Sequence, residues 1–293
     1  MLIHVVDAAG MTDSEGRPTK PGSHDPLDDV KFLTREIDLW MAGILQRNWR
    51  KIIRASPDPE EILTLSLSGL NIKRQHVEKA LKLSGLYEKP LKSWSSNDIM
   101  SFIATLRQHA KPMVIAANKC DIPEAEENIK RLRAAVGDKY VIPTSAEAEL
   151  ALRRAAAAGL INYMPGDKDF EVTDEKKLGK RQAKALEYIR ERVLSRWGST
   201  GVQEVINKAF LDILGMMAVF PVEDENNLTD HKGNVLPDAW LVPPGTTPRQ
   251  LAYMIHTELG EKFIAAIDVR TKRTLPSDAP LYHRAVVKIR TRR

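Results

Sequence analysis

Two apolar runs in the middle of the chain, each followed by a polar turn and a helical pattern, constrain its fold most strongly. Residues 113–117 are wholly apolar, a helical pattern over residues 124–136 leads to a second apolar run at 140–143, and another helical pattern begins at Glu147. Short apolar runs of this kind are typical of strands buried in a parallel sheet. The order strand, helix, strand, helix therefore predicts an α/β domain.

The N-terminal region carries one more predicted strand and a long predicted helix. Residues 2–6 are apolar except for His4, include three β-branched residues and are followed by Asp7, so we expect a strand buried on both faces of a parallel sheet. Residues 11–25 have no apolar period and predict a loop. From Pro26 the apolar residues recur at helical spacing until the prolines at 57 and 59, which predicts a long amphipathic helix.

Further helical patterns extend this region into an all-helical block over residues 30–96. Residues 60–70 and 73–83 predict two shorter helices, and Asn71 is the expected cap of the second. A fourth helix, which ends before Pro112, is expected to begin at Ser95 or Ser96.

The pattern of apolar and polar residues changes near Gly215, in the C-terminal third of the chain. Before it, residues 175–196 predict one basic amphipathic helix and residues 202–214 another. After it come predicted strands and a capped helix, which indicate a small, separate α+β unit. The predicted strands lie at 217–222, 263–269 and 285–289, and the helix at 247–259.

Composition limits the class of protein. With 293 residues, 43% hydrophobic and 28% charged, the chain is globular and long enough for two or three domains. It has no apolar run near the ~20 residues that span a bilayer, so no membrane partner is expected. Its one cysteine, Cys120, forms no internal disulfide, so the cytoplasm is the expected location. The net charge of +5 is compatible with an RNA partner. The seven histidines lack metal-ligand spacing, so no metal or Cys/His nucleophile site is predicted.

The strongest chemical signal is the string Asn118-Lys119-Cys120-Asp121 after one predicted strand, with Ser145-Ala146 after the next. Ligands of open α/β sheets bind at the carboxyl ends of strands. The Asp121 carboxylate could accept two hydrogen bonds from N1–H and the 2-amino group of guanine, whereas adenine offers neither donor. In the same interpretation Asn118 braces the loop and reaches the base, the Lys119 stem covers the base face, and the Ala146 N–H meets the guanine oxygen.

Other interpretations of these residues stay open. The four-residue string by itself is also an ordinary polar turn, and the sequence contains no G-x-x-x-x-G-K-[ST] string that would bind the phosphates. Asp7-Ala8-Ala9-Gly10 matches a D-x-x-G element that senses Mg²⁺ and the γ-phosphate, but it is equally a plain strand exit.

Several stretches resemble the Obg-like GTPase family, specifically its YchF-type subfamily in the archaeal form. The resemblance covers essentially the whole chain, and residues 22–26 and 145–149 carry it more specifically than the 118–121 string does. The resembling stretches are residues 2–10, 21–29, 36–40, 114–123, 142–156, 162–167, 198–207 and 235–248.

The resemblance implies a fold and a domain order. It implies a partial Ras-like P-loop GTPase domain of the α/β class over residues 1–29 and 97–214, interrupted by a helical insertion at 30–96. A TGS domain, which is an α+β, ubiquitin-like β-grasp unit linked to RNA or ribosome binding, is implied at 215–293. We also expect that the chain begins after the family's phosphate loop. The strand at residues 2–6 then has an uncovered apolar edge, so the isolated chain should be prone to aggregation.

GTP is the ligand that the resemblance implies, because Asp121 ends the string in its guanine-reading form. The family's nucleotide-binding residues carry over to Asn118, Lys119, Asp121, Ser145 and Ala146. No catalytic or metal-binding residue carries over, and Mg²⁺ is expected only together with the N-terminal segment that would bind the phosphates.

Two classes of function compete at this point. The leading hypothesis is a GTP-binding, translation-associated member of the GTPase family that is inactive in hydrolysis without a phosphate loop. The rival is a non-catalytic protein that binds RNA or the ribosome through its TGS domain and basic residues; a scaffold whose helical block binds protein is a third possibility. No feature points to DNA. The basic residues are Lys176, Lys177, Lys180, Arg181 and Lys184 in the predicted helix and Lys288, Arg290, Arg292 and Arg293 in the tail.

Overall fold

A computed structural model describes residues 1–55 and 58–292 of the chain. These residues form two compact units, Met1–Ile206 and Asn207–Arg293. Among the helices of the described residues, none combines the length and the apolar character needed to cross a membrane. The predicted helix break at Pro57 and the last residue of the basic tail, Arg293, lie outside the described residues.

The first unit contains the predicted parallel sheet. Its strands are β1 (Leu2–Asp7), β2 (Met113–Asn118) and β3 (Val141–Pro143), in the order β1-β2-β3. Asp7 lies opposite Asn118 at the carboxyl ends of β1 and β2. The α/β alternation predicted from the apolar runs is therefore confirmed.

The prediction that β1 is buried on both faces is wrong. The side chains of Ile3 and Val5 are 43% and 63% exposed, whereas Val6, on the other face, is 2% exposed. The reason is that the face of β1 bearing Ile3 and Val5 is left largely uncovered by the described residues. β1 is also an edge strand there, since it pairs on one side only, with β2. An apolar run shows that a strand can be buried, but not whether a neighbour covers each face.

Three helices form the predicted helical block, and a fourth, nearly all of which lies beyond residue 96, packs against them. They are α1 (Pro26–Ala55), α2 (Pro59–Ser66), α3 (Arg74–Leu83) and α4 (Ser96–Ala110). Phe102 of α4 is fully buried among apolar side chains of this block. A buried ion pair joins α1 to α4, since Arg107 Nε donates to Asp38 Oδ1 over 2.6 Å.

The caps of this block confirm one prediction and correct another. Ser95 caps α4, because its hydroxyl accepts from the Asp98 N–H at 3.2 Å. Asn71, in contrast, does not cap α3: it takes a left-handed φ of 54° and ends the short 3-10 turn before that helix. The cap residue of α3 is Lys73, whose N–H donates to Nδ1 of His76 over 3.2 Å. Asn tolerates the left-handed region, which suits it to a turn here.

The rest of the first unit follows β2 and β3. Its elements are α5 (Ala125–Val136), α6 (Ala146–Ala157), the hairpin of β4 (Ile161–Asn162) and β5 (Glu171–Val172), α7 (Lys180–Ile189), α8 (Ser195–Trp197) and α9 (Val202–Asn207). The single basic helix predicted over residues 175–196 is interrupted, because a π-helical turn at Arg190–Leu194 separates α7 from α8. A second π-helical turn, Lys208–Ile213, follows α9 and belongs to the second unit. Local apolar spacing does not distinguish a π turn from an α turn.

The second unit is a five-stranded mixed sheet with two short helices. Its elements are β6 (Met217–Val222), β7 (Trp240–Val242), α10 (Pro248–Ile255), α11 (Thr257–Glu261), β8 (Phe263–Asp268), β9 (Arg273–Leu275) and β10 (Ala285–Thr291). The strand order is β7-β6-β10-β8-β9. The helix predicted over 247–259 is capped by Thr247 as expected but breaks at His256, which has extended backbone angles. The short strands β7 and β9 are not among the strands predicted from the sequence.

Candidate functional site

The predicted site residues meet at the carboxyl ends of β2 and β3. The 118–121 loop follows β2 and the 144–146 turn follows β3. Backbone hydrogen bonds tie the two together: the Thr144 N–H donates to the Ala117 carbonyl over 2.9 Å, and the Cys120 N–H donates to the Thr144 carbonyl over 3.0 Å. The parallel pairing of β2 with β3 thus places the loop and the turn side by side.

Two side-chain hydrogen bonds join the loop to the turn. The Ser145 hydroxyl donates to Asp121 Oδ1 over 2.9 Å. The backbone N–H of Ala146 donates to Asn118 Oδ1 over 3.0 Å, so the amide expected to meet a guanine oxygen is paired with Asn118. Asn118, Asp121, Ser145 and Ala146 therefore form one cluster, and the side-chain oxygen of Asn118 occupies the donor that the base oxygen would need.

Lys119 faces a different partner from the other four residues. Its backbone has a φ of 64°, in the left-handed region. Its ammonium donates to Asp7 Oδ2 over 2.6 Å, and the Thr12 hydroxyl lies 3.4 Å away. Burial of Asp7 would raise the pKa of its carboxyl, but hydrogen bonds from Lys119 and Thr12 outweigh it and leave the pKa below its ordinary value. Asp7 is therefore ionised at neutral pH and holds Lys119 across the ends of β1 and β2.

The segment from Asp7 to Gly10 is built as a strand exit. The Asp7 carboxylate also accepts from the N–H groups of Ala9 and Met11, over 3.1 and 3.2 Å, which closes the turn. Gly10 has a φ of 59°, and a Cβ there would lie 2.2 Å from the carbonyl oxygen of His24. These contacts give Asp7 a local structural use, which favours the strand-exit interpretation of this stretch.

The buried carboxylate of Glu149, which was not predicted from the sequence, supports the 144–146 turn through Thr200. Glu149 in the first turn of α6 is 4% exposed. It accepts from Thr200 Oγ1 over 2.6 Å and from the Tyr163 hydroxyl over 2.7 Å on one oxygen, and from Arg153 Nε over 2.6 Å on the other. The Thr200 carbonyl in turn accepts from the Ser145 N–H over 2.9 Å. Glu149 thus fixes Thr200, and Thr200 fixes Ser145.

The charge of Glu149 follows from these contacts. Burial raises the pKa of its carboxyl, but the hydrogen bonds from Thr200, Arg153 and Tyr163 outweigh burial, and the pKa lies below its ordinary value. Conversely, burial and the bond to Glu149 raise the pKa of the Tyr163 hydroxyl to about 12. The family resemblance was a signal that could have found Glu149, Tyr163 and Thr200, because all three lie in stretches that carry it.

A second neighbour of the 144–146 turn is the backbone at Gly201. Gly201 has a φ of 76°, and a Cβ there would lie 1.9 Å from the carbonyl oxygen of Pro143 at the end of β3. Only glycine allows this approach. The chain before α9 therefore packs directly against the strand that leads into the turn.

The helical segment from α7 to α8 lies against the 118–121 loop. Trp197 Nε1 donates to the Cys120 carbonyl over 3.0 Å, and the Tyr188 hydroxyl lies 3.4 Å from both the carbonyl oxygen and Oδ2 of Asp121. Cys120 itself is 3% exposed, and burial together with the charge of Asp121 raises the pKa of its thiol to about 12. The thiol is therefore protonated at neutral pH, and Cys120 acts as a core residue.

The cluster leaves one carboxylate able to accept further hydrogen bonds. Asp121 presents a carboxylate whose two oxygens each have further lone pairs to accept hydrogen bonds. Such a site selects a partner edge with two neighbouring N–H groups. Among the described residues, no group of three or more His, Cys, Asp or Glu side chains is arranged to hold a metal ion.

Comparison with known protein families matches both parts of the chain. The family described as "Obg-like GTPase YGR210-like, G4 motif-containing domain" matches residues 116–224, which include the 118–121 loop and the 144–146 turn. The TGS domain family matches residues 229–291. The mixed α/β architecture therefore comprises a GTPase-like domain and a C-terminal TGS domain.

Individual relatives agree with the two family matches. The chain is 49% identical over 291 residues to an uncharacterized GTP-binding protein of Methanocaldococcus jannaschii, covering 98% of this chain and 72% of the relative. It is 31% identical over 265 residues to an uncharacterized GTP-binding protein of Schizosaccharomyces pombe, covering 87% of this chain and 64% of the relative. The chain thus spans between about two thirds and three quarters of the length of these relatives.

Two solved structures share the fold. A crystal structure of a GTP-binding protein from Pyrococcus horikoshii aligns with a TM-score of 0.73 and 44% identity, covering 99% of this chain and 78% of that one. The YchF GTPase of Schizosaccharomyces pombe aligns with a TM-score of 0.53 and 14% identity, covering 98% of this chain and 71% of that one. The second likeness concerns the fold alone.

Proposed function

The chain belongs to the Obg-like GTPase family, and from that premise we propose that its 118–121 loop and 144–146 turn bind the guanine base of GTP. The observation that carries the proposal is the Ser145–Asp121 hydrogen bond of 2.9 Å at the carboxyl ends of two neighbouring parallel strands. It orients a carboxylate at the edge of the sheet where α/β proteins bind ligands. Our proposed domain boundaries remain 1–29 with 97–214, 30–96 and 215–293.

Each of the five residues has a role in this proposal. Asp121 accepts from N1–H and the 2-amino group of guanine, and Ser145 holds the carboxylate in place. The Ala146 N–H donates to the guanine oxygen, which requires Asn118 Oδ1 to release that N–H. Asn118 braces the loop and reaches the base. The Lys119 stem covers the base while its ammonium stays on Asp7.

The proposal is confined to recognition of the base. The phosphates need backbone N–H groups and a lysine of the kind that a G-x-x-x-x-G-K-[ST] loop supplies, and the 293 residues contain no such string. Mg²⁺ accompanies the phosphates rather than the base. A role in translation and a cytoplasmic location also remain proposals, supported by the family's TGS domain.

Nucleotide titration of the ¹⁵N-labelled chain tests base recognition directly. We expect GMP to shift the amide signals of the 118–121 loop and the 144–146 turn, and AMP to bind at least ~100-fold more weakly, because a site built around hydrogen bonds rejects a ligand that cannot make them. Asp121→Ala should abolish the GMP shifts. Asp138→Ala is the matched control, since that carboxylate lies outside the site with 82% of its side chain exposed. Equal shifts with AMP and GMP would refute the proposal.

The rival function, binding to RNA, is favoured by one specific feature. Five cations that precede and begin α7 are exposed and could contact phosphates. They are Lys176, Lys177, Lys180, Arg181 and Lys184.

An RNA titration separates the two functions. If RNA binding is the function, a double-stranded RNA hairpin should bind with an affinity that falls steeply with salt, and a charge reversal at Lys180, Arg181 and Lys184 should weaken it. Asp121→Ala should leave that binding unchanged. Binding that ignores both salt and the charge reversal would exclude this alternative.

A further inference from the structure

One hydroxyl group near Asp121 belongs to none of the residues assigned to the base site. Tyr188 lies near the end of α7 with 43% of its surface exposed. Its hydroxyl is 3.4 Å from Asp121 Oδ2, while the Ser145 hydroxyl donates to the other oxygen, Oδ1, over 2.9 Å. Each oxygen of the carboxylate therefore has one hydroxyl group beside it.

The π-helical turn explains how Tyr188 and Trp197 reach the same loop. Trp197 follows Tyr188 by nine residues, which is about two and a half turns of an α-helix at ~3.6 residues per turn. In an uninterrupted α-helix these two side chains would point to opposite sides. The wider turn at Arg190–Leu194 changes that angle, and both side chains contact the 118–121 loop. Single π turns in helices are frequent at functional sites.

The order of groups along the site matches the order along the guanine edge. Guanine presents its oxygen, then N1–H, then its 2-amino group. Ser145, which directly precedes Ala146, donates to Asp121 Oδ1, and Tyr188 lies beside Oδ2. We therefore expect the Ala146 N–H, Oδ1 and Oδ2 to meet the guanine edge in that order. The 2-amino group therefore pairs with the oxygen that Tyr188 approaches.

We propose that Tyr188 is a specificity-determining residue of the base site, placed beside the Asp121 oxygen that receives the guanine 2-amino group. This inference rests on the proposed function. It assigns recognition of the guanine 2-amino group to a residue of α7. This helix lies outside both the 118–121 loop and the 144–146 turn.

Hydrogen-bond capacity supports this role. A carboxylate has about four lone-pair sites, and the two hydroxyls together with N1–H and one N–H of the 2-amino group would fill all four. Burial and the nearby charge of Asp121 raise the pKa of the Tyr188 hydroxyl, so it remains a donor at neutral pH. The separation of 3.4 Å is long for such a bond, and we expect it to shorten when the base binds.

The test compares GMP with IMP, which lacks only the 2-amino group. Dissociation constants come from ¹⁵N NMR titrations of the whole chain and of Tyr188→Phe, which keeps the ring and removes the hydroxyl. The wild-type chain should prefer GMP over IMP by about 10-fold or more, the effect of one hydrogen bond to a charged group. In Tyr188→Phe that ratio should fall about fivefold. Tyr87→Phe is the matched control, since Tyr87 is 44% exposed and lies in the helical block.

The outcomes separate this inference from the proposed function. A purely structural role of Tyr188 would weaken GMP and IMP equally, so an unchanged ratio overturns the inference even if the affinities fall. If the wild-type chain does not distinguish GMP from AMP, the proposed function itself fails. A lower GMP/IMP ratio in Tyr188→Phe, with the Tyr87→Phe ratio unchanged, supports the inference.

Discussion

The 118–121 loop and the outer face of β1 belong to the same small sheet, yet they are supported very differently. The loop is held by the 144–146 turn, by Asp7 at the end of β1 and by Trp197 of α8. The outer face of β1 exposes Ile3 and Val5, and within the described residues β1 pairs only with β2. Substitutions should therefore be costly behind the loop and the turn, and tolerated on the outer face of β1.

The largest effect on stability is expected at Gly201. In Gly201→Ala the new methyl group would lie 1.9 Å from the Pro143 carbonyl oxygen, and we expect the free energy of unfolding to fall by at least ~3 kcal/mol. Gly159→Ala is the matched control, because Gly159 also has a positive φ, of 67°, but has no atom within 4 Å of the added Cβ. It should cost only ~1 kcal/mol. Urea denaturation measures both, and equal losses would contradict the close approach of Gly201 to β3.

A smaller loss is expected when the buried carboxylate loses its charge. Glu149→Gln weakens the hydrogen bonds from Thr200, Tyr163 and Arg153 and should cost ~1–3 kcal/mol at pH 7. Glu147→Gln, at an exposed position of the same helical turn, should change stability by less than ~0.5 kcal/mol.

The pH dependence of this difference has a definite sign. Since the pKa of Glu149 in the folded chain lies below its ordinary value of 4.5, its stabilisation is present above that pH and is lost as the pH falls through the lower folded value. The gap in urea midpoint between the wild-type chain and Glu149→Gln should therefore narrow on acidification. A gap that stays constant from pH 7 to pH 3 would show that Glu149 does not contribute as a carboxylate.

Two neighbouring valines compare the two faces of β1. Val6→Thr buries a hydroxyl at a position that is 2% exposed and should cost ~1–2 kcal/mol. Val5→Thr changes a position that is 63% exposed and should change the free energy of unfolding by less than ~0.5 kcal/mol.

Val5→Thr should also reduce self-association of the chain, because it makes an exposed apolar edge more polar. Light scattering measures this, and a wild-type chain that stays monomeric at high concentration would contradict our expectation of aggregation.

The test that perturbs the chain least measures the reactivity of the Cys120 thiol. A buried thiol with a pKa of about 12 should react with iodoacetamide at pH 8 far more slowly than the same thiol in the unfolded chain. Mass spectrometry follows the modification with and without urea. Rapid labelling of the folded chain would mean that the 118–121 loop opens readily, against the support described for it.

Sequence reasoning succeeded where a feature follows from a local pattern along the chain or from a general rule of sheet topology. The apolar runs predicted β2 and β3, and the rule that ligands bind at the carboxyl ends of strands predicted that Asp121 and Ser145 would meet, although 24 positions separate them. Ser95 and Thr247 were recognisable as caps because their partners lie within one helical turn.

The features that were missed depend on distant partners or on small changes of helical geometry. Thr200 and Glu149 are 51 positions apart and no local pattern relates them. The exposure of Val5 depends on the absence of a covering neighbour among the described residues, which an apolar run does not show. The π turn at Arg190–Leu194 changes which side of the helix Tyr188 and Trp197 occupy, while the apolar spacing stays helical.

The most direct test of the account is a change of base preference at Asp121. In Asp121→Asn the side chain presents one acceptor and one donor, which match N1–H and the 2-oxygen of xanthine. We predict that this variant binds XMP at least ~10-fold more tightly than GMP, whereas the wild-type chain shows the opposite order. Unchanged preference for GMP in Asp121→Asn would contradict the claim that this carboxylate reads the base.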